Sequence, residues 1–291
     1  MRSKLFVPAS RPELFMKAMR SDADAISFDL EDAVLPDRKP YAREQLIALF
    51  GSDDYRQIKE SSRKLVIVRI NALDTHHADD DLQAVCRAGV DIVNIPKINS
   101  ADDVLMAVHR IDQAKHKNGC DAPIKILANI ETPTALHNAS DIGGAHADVW
   151  GLQLGLGDLF EPLNIARQND RNVHAILFAL RMAAARSGVI VYDGAYTNVG
   201  NPDGFRAEAE MAKNLGYLGK TCIHPSQVAL ANEVFQPSPQ EIEWAAKVVQ
   251  ATRDNPVNGA FLLEGKMIDA PFVVRAEAVL NTARRLGLLS H

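Results

Sequence analysis

The sequence has little of what would place it in a membrane, in an oxidising compartment or on a nucleic acid. Three cysteines, Cys86, Cys120 and Cys222, are spread over 291 residues. Their number is odd and no C-x-x-C occurs, which suits a reducing cytosol. No apolar run approaches the roughly 18 residues of a membrane span. The amino terminus, MRSKLFVPAS, reaches Pro8 and Arg11 before any stretch long enough for a signal h-region. A cytoplasmic location without membrane contact is therefore expected. Neither charge dominates: 37 acids against 32 bases give a net charge of -5. Without a Lys/Arg cluster or interleaved basic and aromatic residues, nucleic acid is not an expected partner.

Several catalytic signatures are missing too. No serine sits in G-x-S-x-G and no cysteine has an activating context, so nucleophilic catalysis has poor support. The segment GLQLGLGDL lacks both G-x-G-x-x-G and the Walker lysine, so its glycines are read as allowing close backbone approach around Asp158. His76 and His77, in DTHHADDD, are read as a solvated loop with acids at a helix N-terminus, not as a metal site.

What is present is a regular alternation. A hydrophobic fraction of 47% with 24% charged residues is that of an ordinary globular chain. Apolar, β-branched runs recur at Leu5 to Val7, Ala25 to Leu30, Leu65 to Ile70, Ile92 to Ile95, Ile124 to Ile130, Val149 to Leu154, Val189 to Tyr192 and Gly219 to Ile223. Between them lie helical stretches, such as Pro12 to Met19 after Ser10 and Asn172 to Ser187 before Gly188. Short buried runs alternating with helices predict parallel strands covered on both faces. Eight of them favour a closed (β/α)₈ TIM barrel of about 250 residues over an open doubly wound sheet. After Phe235 the pattern changes. Pro237 and Pro239 break the chain, a helix is expected from Pro239 to about Asp254, and a loop leads to a last helix from about Pro271 to Leu286. The expected division is a barrel over 1–236 and a C-terminal helical lid over 237–291.

In parallel barrels the chemistry sits where strands end. The polar residues there are Asp29, Glu31 and Asp32, then Arg69 and Asn71, Lys97, Asn129 and Glu131, Asp158, Asp193, and His224. Glu131 and Asp158 follow neighbouring strands, where one hard divalent cation can bridge them; pairing of each with a rim Lys or Arg is the other reading. Arg69 can stabilise developing oxygen charge or can form an ion pair with Asp29, Glu31 or Asp32, and the two roles are compatible. Lys97 carries less weight, because a rim lysine is as often solvated.

In order along the chain, KLFVPASRPELFMKA, SFDLEDAV, VRIN, NIPK, ANIETP, LGLGDL, GKTCIHPSQ and GKMIDAP resemble the citrate lyase β-subunit-like family of the HpcH/HpaI aldolase superfamily, which includes malyl-CoA and citramalyl-CoA lyases. The resemblance implies an Mg²⁺ site at Glu131 and Asp158, a catalytic Arg69, and a CoA thioester along the barrel mouth with Arg11 and Lys220 toward the CoA phosphates or adenine. It further implies a homo-oligomer, trimer or hexamer, and a lid whose Asp269 transfers the proton at the acyl carbon; on sequence grounds alone Asp269 is equally a helix N-cap. The implied reaction is cleavage of citramalyl-CoA or malyl-CoA to acetyl-CoA and pyruvate or glyoxylate. Small residues at Ala33, Val34 and Ala195 favour pyruvate. The alternatives are the β subunit of a citrate lyase complex acting on a citryl acyl-carrier protein, and an aldolase acting on free hydroxy acids. Ala9 and Asn201 depart from the common family pattern, which has Gly and an acid there.

Overall fold

The computed structural model describes residues 1–254 and 259–289. Eight strands, β1 (Ser3–Pro8), β2 (Ala25–Asp29), β3 (Leu65–Arg69), β4 (Ile92–Ile95), β5 (Lys125–Ile130), β6 (Val149–Leu154), β7 (Ile190–Ala195) and β8 (Lys220–Cys222), form a closed barrel in chain order. All neighbours are parallel and β1 pairs with β8. Parallel neighbours need a crossover, and the crossover helices cover the outside. The expected TIM barrel is thus present.

Alternation along each strand separates two surroundings. Leu5, Ile26, Phe28, Val66, Val68, Val93, Ile126 and Leu152 join the large core between sheet and helices. Ala25, Ile67, Ile92 and Leu127 form a separate apolar cluster. On the same faces, further toward the strand ends, stand Ser27, Asp29, Asn94 and Asn129, all buried. The barrel interior therefore changes from apolar to polar along the strands, and the polar end is where a site can be built.

Local signals fix the helices. Ser100 and Asp103 make a reciprocal capping box for the helix Ala101–Asn118, which stops at the left-handed Gly119. Asn169 caps the helix Asp170–Ser187, two residues earlier than the sequence predicts, and Gly188 ends it. The stretch from Pro12 to Met19 is not one helix: a 3₁₀ turn, Pro12–Leu14, precedes a single α-helical turn pair, Phe15–Met19.

Lys220 requires a correction. It was expected near a CoA phosphate, but its side chain is fully buried on β8, with Nζ 2.5 Å from Asp193 and 2.7 Å from Glu208 of the helix Pro202–Asn214. Burial works against its charge, but Asp193 and Glu208 outweigh it and raise its pKa above the ordinary lysine value. Arg167 completes the cluster, donating to Glu208 at 2.9 Å and to the Ala195 carbonyl at 2.6 Å. Asp193 belongs to this cluster as well. The register shifts between Asp193 and Ala195, and a Cβ on the intervening Gly194 would lie 2.5 Å from the Leu154 carbonyl oxygen, so only glycine permits the approach.

Residues from Gln236 onward form a second compact unit. Its helices, Pro239–Asp254 and Ala270–Arg285, share a small core of Ala245, Val248, Ile268, Ala276 and Leu280. The expected loop between them contains an antiparallel hairpin, β9 (Phe261–Leu263) and β10 (Lys266–Ile268). Glu264 and Gly265, with φ 48° and 77°, make its two-residue turn. Glutamate is an unusual first residue for such a turn, which is why the sequence does not announce it. Among the described residues no helix is long and apolar enough to cross a membrane.

Replacing Lys220 with methionine should cost about 3–5 kcal/mol of stability, because Asp193 would be left buried without its cation and Glu208 with Arg167 alone. Urea unfolding of Lys220→Met measures this, and a loss below about 1 kcal/mol would show that the cluster does not depend on Lys220.

Candidate active site at the barrel mouth

The ends of β2 and β3 meet in register at Asp29 and Arg69. Arg69 Nε and Nη2 donate to the two Asp29 carboxylate oxygens, both at 2.7 Å. This fork fits a planar guanidinium and no other side chain. Nη1 adds Glu31 at 2.8 Å and Asp32 at 3.4 Å, and the guanidinium lies 4.8 Å from the Phe6 ring. Burial works against the Arg69 charge, but Asp29, then Glu31 and Asp32, outweigh it and hold its pKa above the ordinary value. For Asp29 burial is likewise outweighed, by Arg69 and by the backbone N–H groups of Glu31 and Ala33, and its pKa is lowered. Arg69 is ion-paired as one reading expects, and the pairing fixes the plane of its guanidinium.

The ends of β5 and β6 are built in the opposite way. Glu131 is buried after β5, and its oxygens accept from Asn129 Nδ2 at 2.8 Å and from the Lys97 backbone N–H at 2.9 Å. Asp158 is exposed in the first turn of the short helix Leu156–Phe160 after β6. Among the described residues neither carboxylate has a Lys, Arg or His in ion-pair reach. Burial raises the Glu131 pKa, and the nearby Asp158 charge adds to the rise. Two facing carboxylates without a cation of their own are a mismatch that a hard divalent ion would resolve, with water and ligand oxygens filling the remaining positions. No group of three or more metal-ligating side chains occurs among the described residues. An Mg²⁺ site of two carboxylates does not need one.

Two backbone features support Glu131. Lys97 has φ 55°, left-handed for a residue with a side chain, and this conformation sits at the very peptide that donates to Glu131. A Cβ on Gly155 would collide with the Glu131 side chain, lying 2.7 Å from Oε1 and 3.0 Å from Cδ. Glycine there makes room for the carboxylate.

Asp269 lies in the C-terminal unit, at the N-cap of the helix Ala270–Arg285. Its side chain makes no capping hydrogen bond, and Oδ1 is buried without a partner among the described residues. The cap reading therefore lacks its defining contact. Arg11 is exposed on the loop after β1, paired with Glu13. The structure thus brings Arg69, Glu131 and Asp158 to the ends of β3, β5 and β6 at the barrel mouth, leaves Arg11 exposed and paired with Glu13, and takes Lys220 out of the site. His76 and His77 stack on each other, their ring centroids 3.8 Å apart.

Three supports were not found by scanning strand ends for charge. The Lys97 amide and Gly155 act through the backbone. Lys4, buried at the start of β1, donates to Gln153 beneath the site; a buried lysine in an otherwise apolar strand is a signal the sequence does carry.

A family model described as HpcH/HpaI aldolase/citrate lyase matches residues 2–225. Among curated relatives, the chain is 36% identical to a citrate lyase subunit beta of Haemophilus influenzae, over 97% of each chain. It is 35% identical to a (3S)-malyl-CoA thioesterase of Cereibacter sphaeroides, over 98% of this chain and 95% of the relative. Among solved structures, CitE of Mycobacterium tuberculosis in complex with magnesium, acetoacetate and coenzyme A matches with a TM-score of 0.77 and 31% identity, over 98% of this chain and 100% of that one.

Gly155→Ala should displace the Glu131 carboxylate and weaken Mg²⁺ binding by about tenfold or more, an effect of the size expected when a ligand's support is lost. Calorimetric titration with MgCl₂ reads it, and wild-type affinity in the variant would remove Glu131 from the cation site.

Proposed function

The chain belongs to the HpcH/HpaI aldolase/citrate lyase family, and from that membership we propose that it is an Mg²⁺-dependent carbon-carbon lyase cleaving a 3-hydroxyacyl-CoA to acetyl-CoA and a 2-oxo acid. The observation that carries this reading is the pair of carboxylates, Glu131 and Asp158, which make no ion pair among the described residues and lie beside an always-charged, preoriented Arg69. Glu131 and Asp158 would hold Mg²⁺, which supplies Lewis-acid polarisation of the substrate's hydroxyl and carboxylate oxygens. Arg69 stabilises the oxygen charge that develops as the carbon-carbon bond breaks, through donors that need no reorganisation. Asp269, with its unpartnered oxygen, is the group proposed to return a proton to the acyl carbon. Arg11, exposed beside β1, is the remaining candidate for the CoA phosphates.

Citramalyl-CoA, giving pyruvate, is the preferred substrate over malyl-CoA. Ala33, exposed, and Ala195, half-buried, are small side chains near strand ends that suit its extra methyl group, whereas Val34 packs into the core and contributes nothing there. A methyl group discriminates by only about 1–3 kcal/mol, so both thioesters should be turned over. The similarity to citrate lyase β subunits favours one second reading, a subunit that acts on a carrier-bound citryl thioester. In either case a cytoplasmic homo-oligomer, trimer or hexamer, is proposed.

The deciding assay offers the purified chain malyl-CoA, citramalyl-CoA and citryl thioesters with Mg²⁺. Release of acetyl-CoA and a 2-oxo acid without a partner protein supports the lyase; activity only with a carrier protein supports the subunit, and release of free CoA alone identifies a thioesterase. Glu131→Ala and Arg69→Lys should each lower kcat/KM by about 10²-fold or more, since an ammonium cannot reproduce the fork. Asp269→Asn should be inactive while remaining folded; full activity in it would return Asp269 to a structural role. Mixing inactive Asp269→Asn with inactive Glu131→Ala restores partial activity only if the tail acts on a neighbouring subunit.

A further inference from the structure

The geometry points to Glu31 as the group that accepts the substrate's hydroxyl proton, a base set between Arg69 and Lys97 at the barrel mouth. This inference rests on the lyase reading. Glu31 lies just past β2, and its position is fixed through its backbone. Its N–H donates to Asp29 Oδ1 at 3.0 Å, and its carbonyl accepts from the buried Lys39 Nζ at 2.9 Å and from the Val34 N–H at 3.2 Å. A carboxylate held so firmly is preorganised.

The role of a structural counter-ion does not account for it. Asp29 alone engages Arg69 through two hydrogen bonds at 2.7 Å, which already fixes the guanidinium plane. Glu31 adds one oxygen, Oε2, at 2.8 Å from Nη1. Its other oxygen, Oε1, has Lys97 Nζ at 3.8 Å, beyond hydrogen-bond reach. The side chain keeps 9% of its surface open. One oxygen of a nearly buried carboxylate is thus left to receive a proton from the mouth.

The groups facing Glu31 are Asp29 and Asp32 from β2 and its loop, Arg69 from β3, Lys97 after β4, Glu131 after β5, and Lys39 from the helix Lys39–Gly51. Burial, against the pull of Arg69 and with the help of Asp32, Glu131 and Asp29, pushes its pKa up to about 8. A base poised near neutrality can both take and release a proton. In the cleavage step the hydroxyl proton passes to Glu31 Oε1. The oxygen's electron pair forms the new carbonyl, the carbon-carbon bonding pair becomes the thioester enolate, and Asp269 protonates the enolate carbon. Glu31 then yields its proton to water and Asp269 regains one, so the enzyme returns to its starting state.

The test is Glu31→Gln, which preserves volume and a contact to Arg69 but removes the base. Two rates are read: citramalyl-CoA cleavage, and exchange of acetyl-CoA methyl protons with deuterated solvent in the presence of pyruvate, which needs Asp269 and Arg69 but no hydroxyl proton transfer. Cleavage kcat should fall by about 10²–10⁴-fold with KM near the wild-type value, while exchange persists. In the wild type kcat/KM should fall toward acid pH, because the base must be ionised, and this limb should vanish in the variant. Wild-type cleavage by Glu31→Gln, or an equal loss of cleavage and exchange, overturns the assignment and leaves the lyase intact. If the wild-type chain cleaves none of the thioesters, the lyase reading fails and the Glu31 role falls with it.

Discussion

A guanidinium buried at the end of β3 organises the mouth of this barrel. Arg69 cannot shed its proton, so its burial demands anions in fixed places. Asp29 meets the demand across the strand register, and the Leu30 N–H donates to the Arg69 carbonyl at 2.9 Å, so backbone and side chain lock the two strand ends together. From there the order spreads outward. Lys39 donates to the carbonyls of Leu30 and Glu31 and to Asn71; Asn71 donates to Asp81; and Asp81 pairs with Arg43. A single polar skeleton therefore runs from the mouth to the helix Lys39–Gly51, and each buried charge in it has a partner.

The other half of the rim is left unbalanced. Glu131 is oriented by an amide side chain and a backbone N–H, neither of which carries charge, and Asp158 stands nearby with no ion pair among the described residues. Ion pairs that only hold a fold together are matched; here two carboxylates are supported in shape but not in charge. The two halves of the rim therefore differ: charges are paired at the ends of β2 and β3, whereas negative charge is left without an ion pair at the ends of β5 and β6 among the described residues.

The alternation of apolar runs and helices is a long-range pattern, and for that reason the barrel was legible: all eight strands lie within the expected runs or extend them by a few residues. Features decided by local backbone conformation were not. The hairpin at Glu264–Gly265 has no Asn-Gly to signal it, and at the register shift beside Gly194 the Asp193 side chain pairs with Lys220 in the cluster that includes Glu208, although Asp193 stands at a strand end in sequence. In the site, charged side chains at strand ends could be read directly. The Lys97 amide and the space at Gly155 could not, because sequence records which side chain is present and not where a peptide N–H points.

Lys4 shows how far the charge pattern reaches below the rim. It is fully buried, it donates to Gln153, and its amine lies 4.6 Å from the Phe6 ring and 5.7 Å from that of Tyr192. No carboxylate among the described residues is within ion-pair reach of it. Burial, reinforced by the Arg69 charge, lowers its pKa well below the lysine value, against the weaker pull of Asp29 and Glu131. A charged Lys4 would add a second cation to the barrel interior and would partly neutralise Glu131 from below. The lowered pKa weakens that competition, and among the described residues Lys4 donates its amine to Gln153 and makes no ion pair with Glu131.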